Sequence, residues 1–253
     1  DSILQQTYRN FCFLIVDDAS TDDTREIIKS YKDDRIQLIR LEKNIGQTAA
    51  LNYGLRHAIT PWIARMDADD YSAPTRLEEQ MRTLDADPSL SCLGTHVWIF
   101  YDDPQVIDSI IATPLRHSEI TKLLLRGTPI IHGSIVVSRE ALLDVGAFDD
   151  HYKLTADVDM YDRLLTKYQA ANILKPLLGV RRHQNQISHS RLVFDESIEI
   201  CSRRLSEDGY SKRESAITRG TLSRCYLFRA RILGGQHKFL ELFKDIGRAF
   251  RVS

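Results

Sequence analysis

The chain has 253 residues, of which 43% are hydrophobic and 27% charged, and its formal net charge is −1. This composition suits one well-buried domain, or one domain with an appendage, and excludes a fibrous or intrinsically disordered chain. No apolar stretch approaches the roughly 20 residues of a membrane-spanning helix, and no charged-then-apolar leader opens the sequence. Four widely spaced cysteines indicate reduced thiols, so we expect a cytoplasmic protein.

Charge is divided unevenly along the chain. Residues 201–253 hold 12 Lys and Arg against 5 Asp and Glu, an excess of seven positive charges, so residues 1–200 are acidic. The split favours a catalytic domain at 1–190 and a basic helical region at 191–253. The alternative is that exposed helices simply carry many basic residues.

The first half alternates strands and helices. Residues 2–6 indicate the end of a helix, and apolar runs at 11–16, 35–41 and 62–66 predict buried strands, each followed by a helical pattern. The alternation predicts an α/β fold with a mainly parallel sheet. In such sheets the ligand lies beyond the carboxyl ends of the strands.

The second half is less regular. Strands are predicted near 92–102, 134–138 and 177–182, and helices at 139–145 and from Ala156. From about Arg191 the pattern is helical, with a break at Gly234-Gly235.

Two predicted strands end in carboxylate clusters, Asp17-Asp18 and Asp67-Ala68-Asp69-Asp70. Carboxylates that repel one another need a cation or many donors, and Mg²⁺ or Mn²⁺ prefers such oxygens. A solvated turn that caps the next helix is the alternative for the second cluster. Asp17 and Asp18 could bind a nucleotide base or ribose, or cap a helix, although Ser20, Thr21 and Asp22 already offer caps.

Two further residues are candidates for the same site. Asp157 falls at the predicted start of a helix, where the dipole favours an ionised carboxylate that could act as a general base, or as an ordinary first-turn acid. His183 follows Arg181 and Arg182 and could contact a diphosphate or ligate a metal, or simply be exposed.

The order of these motifs resembles the successive blocks of the inverting family-two glycosyltransferases, over residues 1 to about 190. The blocks are VDDASTDDT, NIGQTAALNYGL, ARMDADDYSAPTRLEEQM, HGSIVVSREALLDVGAFDD, TADVDMYDRLL and VRRHQNQIS. The opening DSILQQTYRNF resembles the middle of the family's first helix, which implies a chain that lacks the family's first strand. The resemblance implies a GT-A fold, an α/β sandwich with a nucleotide half and an acceptor half, followed here by a C-terminal helical appendage.

The resemblance also assigns residue roles. It implies that Asp18 contacts the base, that Asn44 and Gly46 form the turn beside the nucleotide, and that Asp67 and Asp69 bind the metal, with Asp67 also at the nucleotide sugar. Asp157 matches the base of the family's Glu-Asp pair, although Ala156 replaces the Glu, and His183 matches the His of an Arg-x-His segment that binds the nucleotide sugar. The Gln-x-x-Arg-Trp motif of processive synthases is not seen, which favours the addition of a single sugar.

We therefore expect an inverting transfer from a nucleoside-diphosphate sugar, with a UDP-sugar favoured, supported by Mn²⁺ or Mg²⁺. The acceptor would be a glycan or lipid-linked hydroxyl in surface polysaccharide or lipopolysaccharide synthesis, and no nucleic acid is expected as a partner. A nucleotidyltransferase and a non-catalytic nucleotide-sugar-binding module are the alternatives.

The last predicted helix is amphipathic and basic. Its apolar residues recur at spacings of about three and four, and Lys238, Lys244, Arg248 and Arg251 lie among them. Such a helix can lie at an anionic membrane surface, which would place the enzyme at the inner face of the cell membrane, or it can pack on the catalytic domain or another subunit. The apolar residues are Phe239, Leu240, Leu242, Phe243, Ile246 and Phe250.

Overall fold

The computed structural model describes residues 1–183, 190–235 and 239–252. The chain divides into two compact units, one of Asp1–Ile120 with Pro129–Gln184 and one of Thr121–Thr128 with Asn185–Ser253. Within the described ranges no helix combines the length and the apolar character that crossing a bilayer requires.

The first unit opens with two strand–helix pairs. The predicted helix end at residues 2–6 is a hydrogen-bonded turn, in which Gln5 N–H donates to the Asp1 carbonyl. The strands β1 (Phe13–Asp17) and β2 (Ile36–Arg40) then pair in parallel, with Asp17 opposite Arg40. The helices α1 (Thr24–Ser30) and α2 (Gln47–His57) follow them, as the apolar runs and turn residues predict.

A second, six-stranded sheet holds the core of this unit. Its strands are paired in the order β3-β7-β5-β8-β4, and β6 also pairs with β5. The central strand β5 is buried along nine of its eleven residues, and Leu93 on it packs with Val136, Leu77 and Leu84. The strands are β3 (Trp62–Ala64), β4 (Tyr71–Ser72), β5 (Leu90–Phe100), β6 (Ser109–Ile111), β7 (Val136–Ser138) and β8 (Gln169–Arg181).

The expected α/β class is confirmed, and the strand pairing is mixed rather than uniformly parallel. Strands β1 and β2, and β5 and β8, pair in parallel, whereas the β3–β7, β4–β8, β5–β6 and β5–β7 pairs are antiparallel. Among the described strands, β1 and β3 also belong to different sheets. The reason is physical: an apolar run identifies a strand, but the choice and direction of its partner depend on long-range packing.

The helices α3 (Arg76–Ala86), α5 (Arg139–Asp144) and α6 (Ala156–Lys167) lie where the pattern predicts them. The helix α4 (His117–Leu124) was not predicted. A 3₁₀ turn, His132–Ser134, precedes β7.

The second unit contains three further helices, α7 (Arg191–Ser206), α8 (Lys212–Gly235) and α9 (Phe239–Val252). The predicted break at Gly234-Gly235 coincides with the end of α8. Arg229 on α8 joins its neighbours through ion pairs to Asp195 on α7 (2.5 Å) and to Asp245 on α9 (2.6 Å). The side chains of Phe239, Leu240, Leu242 and Phe243, which belong to the predicted apolar face, lie outside what the structure describes, as do Lys238 and residues 184–189.

Candidate active site

The loop after β3 carries the Asp67-Ala68-Asp69-Asp70 cluster. The carboxylate of Asp67 is paired with Arg65, because the two guanidinium Nη atoms of Arg65 donate to its two oxygens. Arg65 is largely buried, whereas Asp67 remains partly exposed. Residues two apart on an extended chain lie on one face, which explains why Arg65 and Asp67 meet.

Asp69 contacts His183, a candidate site residue that lies 114 positions further along the chain. Its Oδ2 lies 3.0 Å from His183 Nε2, and both side chains are about 40% exposed. This spacing is that of an ordinary hydrogen bond, and the pair offers one oxygen and one nitrogen as possible ligands of a divalent cation. Within the described ranges no set of three or more His, Cys, Asp or Glu could hold a metal alone.

Asp70 lies deeper, against the turn that carries Gly133. It accepts a hydrogen bond from the Arg181 backbone N–H (3.1 Å). Burial, and then the charge of Asp67, raise its pKa to about 7. A Cβ on Gly133 would lie 2.9 Å from Asp70 Oδ2 and 3.5 Å from Asp67 Oδ2, so the carboxylates approach the backbone as closely as glycine allows.

Two buried side chains of α3 hold this loop from behind. Arg76 donates to the carbonyl of Arg65 (2.8 Å), and burial lowers the pKa of its guanidinium to about 10. Gln80 accepts from Arg76 and donates to the carbonyls of Leu93 (2.8 Å) and Ser134 (2.9 Å). The backbone before Asp67, at Arg65, and the backbone after Gly133, at Ser134, are thus both hydrogen-bonded to α3.

Asp157 occupies the first turn of α6, as predicted. Burial raises the pKa of its carboxyl to about 6, against a lowering by the Val158 backbone N–H and by the Arg65 cation. The negative charge of Asp67 raises it further, and Arg65, whose cation lowers it, is the residue that donates to Asp67. Ala156, which stands in place of the family's Glu, is buried.

Asp159 has a different environment from Asp157. It is fully buried and forms an ion pair with Arg163 (2.5 Å), one helical turn along. The same guanidinium donates to the carbonyls of Val145 and Ala147. Asp159 therefore anchors the loop after α5.

The residues expected near the nucleotide form a second group. Asp18 accepts hydrogen bonds from the backbone N–H groups of Ile45 (2.7 Å) and Gly46 (2.9 Å), and Asn44 donates to the Asp18 carbonyl (3.3 Å). Gly46 has φ +87° at the start of α2, a conformation that glycine adopts without strain. Asp17 instead binds Ser20, and these hydrogen bonds lower its pKa.

The helix α2, which starts at this turn, is hydrogen-bonded to the segment that precedes α6. Thr48 on α2 donates to the Tyr152 carbonyl (2.7 Å), and the Asn52 carboxamide bonds both the carbonyl and the N–H of Phe148. These contacts fix residues 148–153, which lead into α6. Among the described residues, no hydrogen bond joins Asp18, Asn44 or Gly46 directly to Asp67 or Asp69.

Sequence reasoning missed Arg65 and Gly133, and it gave Asp70 no role of its own within the carboxylate cluster. The signals were present: Arg65 precedes Asp67 by the two-residue period of a strand, and Gly133 lies in the HGS segment before a predicted strand. Neither signal says which distant segment each residue would meet.

This arrangement, carboxylates after a strand facing a helix that carries a further acid, occurs on a fold shared with known transferases. TarS 1-349 of S. aureus matches with a TM-score of 0.70 and 18% identity, over 99% of this chain and 76% of that one. The mannosyltransferase PcManGT of Pyrobaculum calidifontis, solved with GDP-Man and Mn²⁺, matches with a TM-score of 0.61 and 19% identity, over 99% and 68%. The fold is the GT-A fold of glycosyltransferases.

Sequence comparison gives the family. Residues 1–146 match the model of glycosyl transferase family 2. The chain is 32% identical over 200 residues to the glycosyltransferase homologue EpsE of Bacillus subtilis, covering 77% of this chain and 70% of that one. It is 31% identical over 206 residues to the O-antigen biosynthesis glycosyltransferase WbnJ of Escherichia coli, covering 78% of both. The chain belongs to glycosyltransferase family 2.

Proposed function

We propose that this protein is an inverting glycosyltransferase that uses a divalent cation and a nucleoside-diphosphate sugar. The observation that carries the proposal is the pairing of Asp69 with His183 at 3.0 Å. Two residues before Asp69 lies Asp67, whose charge contributes to the raised pKa of Asp157. One side of this site can hold a diphosphate, and the other can accept a proton.

Asp69 and His183 would supply one oxygen and one nitrogen ligand, while Asp67 lies two residues away with Arg65 on its carboxylate. Hard cations are commonly held by one or two carboxylates and substrate phosphates, so this partial ligand set fits Mn²⁺ or Mg²⁺. A bound ion would neutralise the charge that develops on the departing diphosphate. The presence of Mn²⁺ with GDP-Man in PcManGT supports this choice.

Asp157 would be the general base. With a pKa of about 6, its carboxylate is mostly ionised at neutral pH yet basic enough to accept a proton from an attacking hydroxyl. Attack on the anomeric carbon from the face opposite the diphosphate inverts its configuration. Such a base contributes typically about 10²–10⁴-fold in rate.

The turn of Asp18, Asn44 and Gly46 would bind the nucleotide, with a UDP-sugar as the expected donor. Each carboxylate oxygen of Asp18 accepts one hydrogen bond from this turn. Each oxygen of an ionised carboxylate has a second lone pair, which can accept from the N–H groups of a nucleotide base. The acceptor would be a hydroxyl of a glycan or of a lipid-linked sugar. The O-antigen biosynthesis role in the name of WbnJ supports surface polysaccharide or lipopolysaccharide synthesis.

The test is calorimetric binding of UDP with Mn²⁺ and with a chelator. Asp69→Ala and His183→Ala should each remove the Mn²⁺-dependent part of the affinity while the melting temperature stays close to that of the wild type. Asp85→Ala removes an exposed acid of α3 and serves as the matched control. Equal UDP affinity in all variants, with or without chelator, would refute the metal assignment.

Product analysis separates the alternatives. Release of a free nucleoside diphosphate from a nucleotide sugar supports glycosyl transfer, whereas release of pyrophosphate from a sugar phosphate and a nucleoside triphosphate indicates a nucleotidyltransferase. Binding of nucleotide sugars without any product indicates a binding module, which the Ala156 substitution makes worth testing.

We also propose that the basic C-terminal helices dock the enzyme on the inner face of the cell membrane, close to a lipid-linked acceptor. Support comes from Phe250 on α9, which is 77% exposed, and from the exposed cations Lys244, Arg248 and Arg251 on the same helix. Each Lys or Arg near an anionic surface contributes about 1 kcal/mol, and an inserted aromatic ring adds an apolar contribution.

Co-sedimentation with phosphatidylserine vesicles at low and high salt tests the docking. Phe250→Ser and Lys244→Gln should both weaken binding, and binding of the wild type should fall as salt rises. Leu227→Ser, which changes a half-exposed apolar residue of α8, is the control. Wild-type protein that stays in the supernatant at low salt would contradict the proposal.

A further inference from the structure

His132 precedes Gly133, the glycine that lies against the carboxylates of Asp70 and Asp67. It opens the 3₁₀ turn whose next residue, Gly133, abuts Asp70 and Asp67. Its ring is held edge-on by Phe148 (centroids 5.4 Å apart) and by Tyr161 (6.0 Å), and its Nδ1 lies 3.4 Å from the Tyr161 hydroxyl. The imidazole is therefore held in position by two aromatic residues.

The other ring nitrogen has no protein partner. His132 Nε2 is buried without a hydrogen bond, and the same is true of Arg65 Nε, whose two Nη atoms are on Asp67. A buried polar atom left unpaired lowers stability, so native proteins pair nearly all of them with protein, water or ligand. Among the described residues, His132 Nε2 and Arg65 Nε are two such atoms that belong to residues around the candidate site, where a polar group of a substrate can pair with them.

The chemistry of these two atoms restricts the missing group. Burial, and then the Arg65 cation, keep the pKa of His132 well below its usual value, so the ring is neutral and offers one donor and one acceptor. Arg65 Nε is a donor only. A hydroxyl can pair with His132 Nε2 in either tautomer, whereas a phosphate or carboxylate oxygen can pair with it only when Nε2 carries the proton.

The position of His132 relative to the base fits a reacting sugar. Tyr161, which contacts the imidazole, lies four residues after Asp157 and therefore on the same face of α6. The charge of Arg65 acts on both His132 and Asp157. Through its contact with Tyr161, His132 therefore lies on the side of α6 that carries Asp157.

We propose that His132 is a substrate-binding residue whose Nε2 hydrogen-bonds a hydroxyl of a sugar at the reaction centre. The inference rests on the glycosyltransferase function proposed above and names a contact for its substrate. The hydroxyl belongs either to the donor sugar or to the acceptor. Substitution of His132 should lower the affinity for the donor in the first case and for the acceptor in the second.

The experiment uses two substitutions that differ in which nitrogen they mimic. Glutamine places a polar group near the position of Nε2, whereas asparagine mimics Nδ1. His132→Asn should therefore lower kcat/KM by roughly three- to tenfold, the range of one neutral hydrogen bond, and His132→Gln should recover most of the loss. Tyr161→Phe, which removes the Nδ1 partner and leaves Nε2 in place, should have the smaller effect.

Calorimetry then identifies the source of the hydroxyl, with UDP, UDP-glucose and GDP-mannose as probes. A donor hydroxyl predicts that His132→Asn weakens binding of the recognised nucleotide sugar but not of its free nucleoside diphosphate. An acceptor hydroxyl predicts unchanged donor binding and a higher KM for the acceptor.

Three outcomes would overturn the inference. One is wild-type kinetics in His132→Asn, and another is an equal loss for sugar and free nucleotide together with a lower melting temperature, which indicates a structural role. The third is equal damage from asparagine and glutamine. A wild-type enzyme that binds these nucleotide sugars but releases no nucleoside diphosphate would instead refute the proposed function.

Discussion

Replacing Gly133 with alanine should disturb the carboxylate loop more than the fold. The new Cβ would lie 2.9 Å from Asp70 Oδ2 and 3.0 Å from Leu178 Cδ2, closer than the roughly 3.5 Å of a relaxed contact. Overpacking of this kind costs about 1–3 kcal/mol. For a protein of this size each kcal/mol lowers the melting temperature by about 2–4 °C, so a drop of roughly 2–12 °C is expected.

The displaced group is Asp70, which is bonded to the Arg181 N–H and lies next to Asp69 in the chain. We therefore expect Mn²⁺-dependent UDP affinity to fall together with stability. A double-mutant cycle with Asp70→Ala isolates the cause, because that change removes the nearest oxygen and leaves only the flexible end of Leu178 in close contact. Stability losses that add to within about 0.5 kcal/mol would show that Gly133 and Asp70 do not interact, and the reasoning would fail.

Three other substitutions test separate parts of the structure. Asp157→Asn should lower kcat by about 10²–10⁴-fold with little change in donor affinity. The kcat of the wild type should fall as the pH drops through about 6, because the raised pKa leaves the carboxyl half-protonated there. A wild-type kcat that stays constant between pH 5 and 7 would exclude Asp157 as the base. Asp159→Ala leaves the Arg163 cation without its buried partner and should cost about 3 kcal/mol in chemical denaturation while UDP affinity persists; loss of UDP binding in the folded variant would contradict its structural role. Gly220→Ala lies on an exposed part of α8 with no atom within 4 Å of the new Cβ, so it should stabilise that helix by about 1 kcal/mol, and a lower melting temperature would contradict the open environment.

The sequence predicted much of the site because its chemistry is local. Asp157 lies in the first turn of α6, where the helical period places it, and the carboxylates of Asp67 and Asp69 follow a strand defined by a short apolar run. The contact between Asp69 and His183 spans 114 residues. The family motifs implied that both residues belong to the nucleotide-sugar site, but no periodicity predicts that they meet.

Other features depend on partners that no local pattern encodes. The antiparallel pairing of β7 with both β3 and β5 is a property of the assembled sheet, since a three-residue strand has almost no register signal of its own. The burial of Arg76 is similar. An Arg in an amphipathic helix is expected at the surface, and the hydrogen bonds of Arg76 to Gln80 and to the carbonyls of Arg65 and Ile135 make an interior position favourable.

The polar contacts of α2 have a consequence for engineering. Thr48 and Asn52 attach this helix to residues 148–153, and the helix itself begins at the turn held by Asp18. A hybrid enzyme made by transplanting the nucleotide turn from a relative would break these bonds unless the recipient loop matched. A graft that exchanges 18–57 and 148–153 together keeps them within one parent, and it would be the smallest exchange expected to alter donor choice without misplacing the start of α6.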